Sequence, residues 1–255
     1  MSLTTPALAA LGAGVFLAGV MDALAGGGGL ITLPAYLAAG LSPALVLGTN
    51  KLASSLGTVV ATIRYHRALR FSVKDFLPAL AAAALGAFLG ARLAVLADPQ
   101  WLRPLLLAAL PLASWLIWSR RDFGREDVSH RRTPAQRLRR GVLVAAPIGV
   151  YDGFFGPGAG TFYALGLVRA CGYDLLGATA RAKALNLLSN LAALAAFVAA
   201  GRVDWRVGLP MAGLSIAGNW VGAHLGVRNG AAVIRPVVVL VCAGLFAKLL
   251  LDSVR

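Results

Sequence analysis

Gly19–Val20–Met21–Asp22–Ala23–Leu24–Ala25–Gly26–Gly27–Gly28–Gly29–Leu30–Ile31–Thr32 is an apolar run stopped by four glycines. Its pattern returns 130 residues later as Gly149–Val150–Tyr151–Asp152–Gly153–Phe154–Phe155–Gly156–Pro157–Gly158–Ala159–Gly160–Thr161. Glycine is a poor helix residue and proline a worse one, so each cluster ends a helix. Each break is followed by an apolar piece, roughly 30–40 and 161–170. Such pieces are too short to span a hydrocarbon core of about 30 Å at about 1.5 Å per residue. They read as re-entrant half-helices. Broken backbone inside a bilayer persists only where protein or a water-filled cavity surrounds it.

The rest of the 255-residue chain fits a membrane setting. It is 58% hydrophobic and only 13% charged, with mean hydropathy +0.76. Disorder is excluded, because it needs low hydrophobicity. The net charge of +14 suggests a nucleic-acid binder, but such a protein would not carry repeated apolar runs of about 20 residues. Eight hydrophobic segments are readable, at 7–25, 43–63, 76–97, 102–118, 141–155, 174–200, 207–227 and 233–251. They lack strand alternation, so the expected fold is all-α, with about eight transmembrane helices. Met1 to Ala25 lacks a basic start, so it reads as a retained membrane helix and not a cleaved signal. Cys171 and Cys242 sit in apolar stretches without metal-binding spacing and read as buried thiols.

The repeats divide the chain. Residues 1–118 form a first membrane repeat, 119–140 a basic cytoplasmic linker, and 141–255 a second membrane repeat. Thr49 and Lys51 align with Thr179 and Arg181 at the same offset of 130, whereas Leu77, Pro78, Gly86 and Gly90 align with Leu209, Pro210, Gly218 and Gly222 at 132. Internal repeats of this kind mark secondary transporters. Four spans per half would make the halves parallel and five would make them inverted; the clear segments favour four. The linker carries Arg120, Arg121, Arg125, Arg131, Arg132, Arg137, Arg139 and Arg140. The positive-inside rule puts it, with the basic loop from Arg64 to Lys74, in the cytoplasm. Four preceding spans would then put both termini there too. Gly86-x-x-x-Gly90 and Gly218-x-x-x-Gly222 predict close helix contacts, within one protomer or across a homodimer.

The residues that carry chemistry lie in the apolar segments. A helix N-terminus presents unpaired N–H groups at the positive end of its dipole, which suits an anion. The breaks therefore nominate Gly27, Gly28, Gly29, Leu30 and Thr32 in the first half, and Gly158, Ala159, Gly160 and Thr161 in the second. Close helix packing is the other reading of the same glycines. Lys51 lies about 12 Å into the helix that begins near Pro43. A cation at that depth costs about 2.5–3.5 kcal/mol and calls for a partner or ligand. Lys51 brings Thr49 and Asn50 into the candidate site. In the second half Thr179, Arg181, Lys183 and Asn186 are the counterparts, with the repeat alignment favouring Arg181 and the polar helix face favouring Lys183. Asp22 and Asp152 are the acidic residues clearly within apolar segments. They read as charge partners of these cations, as proton-coupling groups, or as both. No nucleophile–base pair, nucleotide loop, metal cluster or cofactor motif is visible, so no enzyme is expected.

Gly19 to Pro34, followed by Gly48–Thr49–Asn50–Lys51, resembles the first half of the TauE/SafE sulfite exporter family, also called the toluene sulfonate uptake permeases. Gly149 to Phe162 resembles its second-half motif. Ala180 and Ala164 depart from the first half's Asn50 and Pro34. The resemblance implies an inner-membrane carrier for a small anionic sulfur compound such as sulfite or a sulfonate. The expected partners are that anion, a coupling proton or sodium ion, membrane lipids and a second copy of the chain, with no nucleic acid. An anion channel and a non-transporting, lipid-binding scaffold are the alternatives.

Overall fold

The structure is a computed structural model that describes residues 5–96, 124–237 and 239–240. Segment 102–118 and Cys242 lie outside the described residues. The architecture is helical. The first half holds α1 (Thr5–Ala25), α2 (Gly29–Ala38), α3 (Pro43–Leu69) and α4 (Leu77–Leu96). The second holds α5 (Pro134–Phe154), α6 (Ala159–Cys171), α7 (Leu175–Ala199) and α8 (Trp205–Asn229). Among the described residues, four stretches are long and apolar enough to cross a membrane: Ala7–Ala25, Pro43–Leu69, Lys74–Leu96 and Leu175–Ala199.

Local chemistry sets the boundaries. Thr133 and Gln136 form a capping box ahead of Pro134, so α5 starts inside the stretch read as linker. Asp174 accepts from the Gly177 N–H at 3.0 Å and caps α7. Asp204 caps α8 through the N–H groups of Arg206 and Val207. Gly26 (φ 82°) ends α1, while Gly156 (φ 100°) and Gly158 (φ 79°) shape the second break. These are left-handed conformations that residues with a Cβ avoid.

The helices pair across the halves. α1 packs on α8, and its counterpart α5 packs on α4; α3 packs on α7. Small residues let the backbones meet. Gly86 and Gly90 lie on the α5 backbone at Ala146 and Val150, and Gly218 and Gly222 lie on the α1 backbone at Phe16 and Val20. Both glycine pairs therefore make contacts within the protomer.

Residue contacts give the directions. Along α1 and α8, Gly12 meets Leu214 and Val20 meets Gly222. Along α3 and α8, Leu52 meets Gly208 and Tyr65 meets Gly226. These three helices run the same way. α7 opposes them, because Lys51 meets Asn190 while Thr62 meets Lys183. α4 starts where α3 stops, and α5 runs with α4: Ala83 meets Gly149 and Ala87 meets Gly153. Thus α1, α3 and α8 run one way, and α4, α5 and α7 run the other.

The two halves are inverted, not parallel. The reason lies in the breaks. Each half-helix turns back from the interior, so α1 with α2 enters and leaves by one face, and α5 with α6 by the other. The two basic stretches do share a face, with Phe76 against Gly141 and Arg181 over the Phe71 ring at 5.1 Å. α1, however, starts from the opposite face.

Candidate functional site

The breaks meet at the centre. Gly26 packs on the backbone of Gly160 and Thr161, and Gly29 on Pro157. The Thr161 hydroxyl donates to the Ala25 carbonyl. Tyr151 donates to the Pro157 carbonyl at 2.5 Å. No side chain larger than hydrogen fits at Gly26 or Gly160 without displacing backbone. This is the reason for glycine there. Gly158 caps α6, and Ala159, Gly160 and Thr161 are fully buried against the first break. The second half-helix N-terminus packs against the first break.

Two ion pairs flank this crossing, and each joins one half to the other. Lys51 Nζ donates to Asp152 Oδ1 at 2.6 Å and to Asn190 Oδ1 at 2.8 Å. Asn186 Nδ2 donates to Asp152 Oδ2 at 3.1 Å, and the Ser189 hydroxyl donates to the same oxygen. Asp152 is thus ringed by donors, and its side chain is 2% exposed. Lys183 Nζ donates to Asp22 Oδ2 at 3.2 Å and to the Asp22 carbonyl. Asp22 Oδ1 takes a longer bond from the Gly28 N–H, 3.4 Å, at the start of α2. An internal carboxylate therefore sits at the positive end of that half-helix. Asp22 is 15% exposed.

The partnership corrects the repeat alignment. α3 follows Ser42 and α7 follows Asp174, an offset of 132. α6 is three residues longer than α2, 13 against 10, and the link after it is one residue shorter, which makes the net shift two. In that register Lys51 corresponds to Lys183, Ser54 to Asn186, Gly57 to Ser189 and Thr58 to Asn190. Arg181 is not at the site. It donates to the Gly177 carbonyl and stacks on Tyr173 at 3.9 Å and on Phe71, near the basic face. Thr179 bonds back to the Leu175 carbonyl within its own helix. Thr49 accepts from the Asp204 N–H at the opposite face. Neither lies near the ion pairs.

Of the remaining expected residues of the first half, Asp22, Gly28, Thr32 and Asn50 come together. A small pocket with polar groups in its wall lies between α1, α2, α3 and α8. Asp22, Gly28, Thr32, Asn50, Ser215 and Asn219 stand in its wall, with Ser54 beside them. Thr32 donates to Asn50 Oδ1 at 2.6 Å and to the Gly28 carbonyl at 3.3 Å. The Gly27 carbonyl accepts the Leu30 N–H at 3.1 Å, so these two shape the turn. Asn219 is 1% exposed. Its Nδ2 donates to the Ser215 carbonyl at 3.0 Å, which leaves Oδ1 as a buried acceptor with no partner among the described residues. The second half carries different side chains at the corresponding positions. There Asn186 and Ser189 reach Asp152 where the first half has the shorter Ser54 and Gly57. The α4 residues corresponding to Ser215 and Asn219 are Ala83 and Ala87. Ser215 and Asn219 were not nominated from sequence, although two polar residues one turn apart on an apolar helix are a readable signal.

With this geometry in hand, similarity to known proteins is informative. Residues 11–249 match the family described as Sulfite exporter TauE/SafE. The chain belongs to that family. The "Probable membrane transporter protein YfcA" of Escherichia coli K12 is 41% identical over 244 residues, covering 93% of this chain and 87% of the relative. The "Probable membrane transporter protein ORF9" of Sinorhizobium sp is 41% identical over 249 residues, covering 96% and 93%. A "Probable membrane transporter protein" of Haemophilus influenzae is 37% identical over 239 residues, covering 93% and 92%. No solved structure matches the chain significantly. The protein is a multi-pass helical membrane transporter of this family, and its relatives carry transporter names, not enzyme names.

Proposed function

We propose that this chain is a secondary transporter that moves a small sulfur-containing anion, such as sulfite, a sulfonate or a related oxyanion, across the inner membrane by alternating access. The observation that carries the reading is the polar cavity at the N-terminus of α2. Its wall gathers the hydroxyls and amides of Thr32, Asn50, Ser54, Ser215 and Asn219 beside Asp22, groups that would hold a small oxyanion when the halves move apart. The family description supplies the sulfur chemistry. The inverted halves supply the means of alternation, since one half can rock against the other around a central crossing. The cross-half ion pairs Lys51–Asp152 and Lys183–Asp22 are the contacts such a movement remakes. The basic face is cytoplasmic by the positive-inside rule.

Binding to purified protein tests the site. Sulfite, thiosulfate, sulfoacetate and sulfate are titrated against the wild type, Thr32→Val and Asn219→Leu. The expected result is saturable binding of at least one sulfur anion, weakened about tenfold or more by either substitution, which corresponds to about 1.4 kcal/mol. Unchanged affinity in both variants would place the anion elsewhere.

A further inference from the structure

The two ion pairs occupy matching places but are not in the same condition. α3 and α7 run antiparallel, in the register that equates Lys51 with Lys183 and Thr58 with Asn190. A contact between these two helices therefore has a twin with the halves exchanged. The contact of Lys51 Nζ with Asn190 Oδ1, at 2.8 Å, is made. Its twin would join Lys183 Nζ to Thr58, and it is not made. Lys183 donates instead to the carboxylate and the carbonyl of Asp22. The Thr58 hydroxyl is left fully buried, with no partner among the described residues.

Thr58 stands on the face of α3 that the missing contact needs. At about 100° per residue, Lys51, Thr58 and Thr62 fall within about 40° of one another around the helix. Lys51 and Thr62 both touch α7, through Asn190 and the Lys183 carbonyl. Thr58 lies between them on that seam, one turn from the residue that meets Lys183. A buried hydroxyl with nothing to bond is costly. A partner gained in a second state accounts for it. The aspartates differ in the same sense. Asp152 Oδ2 accepts from Asn186 and Ser189 of α7, whereas Asp22 Oδ1 accepts from the Gly28 N–H beyond its own break. The two pairs thus hold one device in two settings.

We infer that the pairs trade settings as access alternates, and that Thr58 is the positioning residue that receives Lys183 in the other state. Lys183 Nζ leaves the Asp22 carbonyl for the Thr58 hydroxyl oxygen and keeps the Asp22 carboxylate. Lys51 Nζ leaves Asn190 for the Asp152 carbonyl and keeps the Asp152 carboxylate. Each ammonium gives up one uncharged acceptor and gains another, so no charge is stranded in the apolar interior. The flexible four-carbon lysine stem allows the change of partner. Inverted halves make the trade natural, because the exchanged arrangement is equivalent by their pseudo-symmetry.

This inference rests on the transport reading, and purified protein in liposomes separates the two. Counterflow of sulfite, thiosulfate, sulfoacetate and sulfate is measured for the wild type, Thr58→Val, Thr58→Ser and Asn190→Leu, with the melting temperature of each in detergent. Thr58→Val keeps the shape and removes the hydroxyl. It is expected to melt no lower than the wild type, because the bond it forbids is absent from this state. Its maximal exchange rate should fall about tenfold or more, with half-saturation unchanged. Thr58→Ser should restore most of the exchange. Asn190→Leu removes a bond that this state makes, and should melt about 3 °C or more below the wild type. Exchange by Thr58→Val at the wild-type rate, failure of Thr58→Ser to restore it, or a Thr58→Val melting temperature as low as that of Asn190→Leu would overturn the inference and leave the transport reading standing. If the wild type exchanges none of these anions, the transport reading fails and takes the inference with it.

Discussion

Lys51 and Lys183 show how far a single residue can be understood from sequence. A charge within an apolar segment is conspicuous because the bilayer penalises it, and so are Asp22 and Asp152. Their pairing follows from the same penalty. The choice between Arg181 and Lys183 was not legible, because it depends on where α7 begins. The Asp174 cap sets that start two residues later than the repeat spacing of the breaks implies. Asn219 escaped for another reason: an uncharged polar residue costs little on an apolar helix and attracts no notice until a cavity opens beside it. The two pairs also differ in what their loss should do. Asp152→Ala strands Lys51, 3% exposed, and is expected to destabilise the protein by about 3–5 kcal/mol. Lys51→Met with Asp152→Asn removes both charges and should recover much of that loss. Thermal unfolding of the single and double variants in detergent measures the difference. Additive losses would mean that the two residues do not act as a pair.

At the scale of the element, the breaks and the glycine pairs carry the fold. The breaks were readable as helix ends because glycine and proline clusters have few other meanings in an apolar run. Their contact was not readable, since Gly26 against Gly160 joins residues on different halves. The glycines of α4 and α5 act by close approach. A side chain at Gly153 would enter the Ala87 carbonyl, whereas one at Gly213 on α8 meets nothing within 4 Å. Gly153→Val is therefore expected to abolish the folded protein. Gly213→Ala should be neutral or stabilising by up to about 1 kcal/mol. Yield of monodisperse protein on size exclusion and its melting temperature report both. A well-folded Gly153→Val variant would contradict the α4–α5 contact.

For the whole molecule, composition and segment length were enough to recognise a multi-pass helical protein. They did not give the direction of the halves. Counting long apolar segments treats α1 with α2 as one crossing, yet the half-helix turns the chain back to the face it came from. The difference between one crossing and none inverts everything downstream. It predicts that Ser42→Cys and Arg206→Cys lie on one face, and Ser72→Cys and His130→Cys on the other. A membrane-impermeant thiol reagent applied to intact cells of a Cys-free background should label the first pair and spare the second. Labelling of Ser42→Cys with Arg206→Cys spared would restore the parallel arrangement. The halves share a plan but not every side chain: Asn186 and Ser189 donate to Asp152 where the first half has Ser54 and Gly57.

Transport by way of the pocket beside Asn219 is the central claim, and counterflow of labelled sulfite in proteoliposomes tests it most directly. Saturable exchange is expected from the wild type and from Gly213→Ala. Asn219→Leu, which places an apolar side chain in the cavity wall, is expected to reduce it at least tenfold. Sulfite exchange by Asn219→Leu at the wild-type rate, or none by the wild type, would contradict the account.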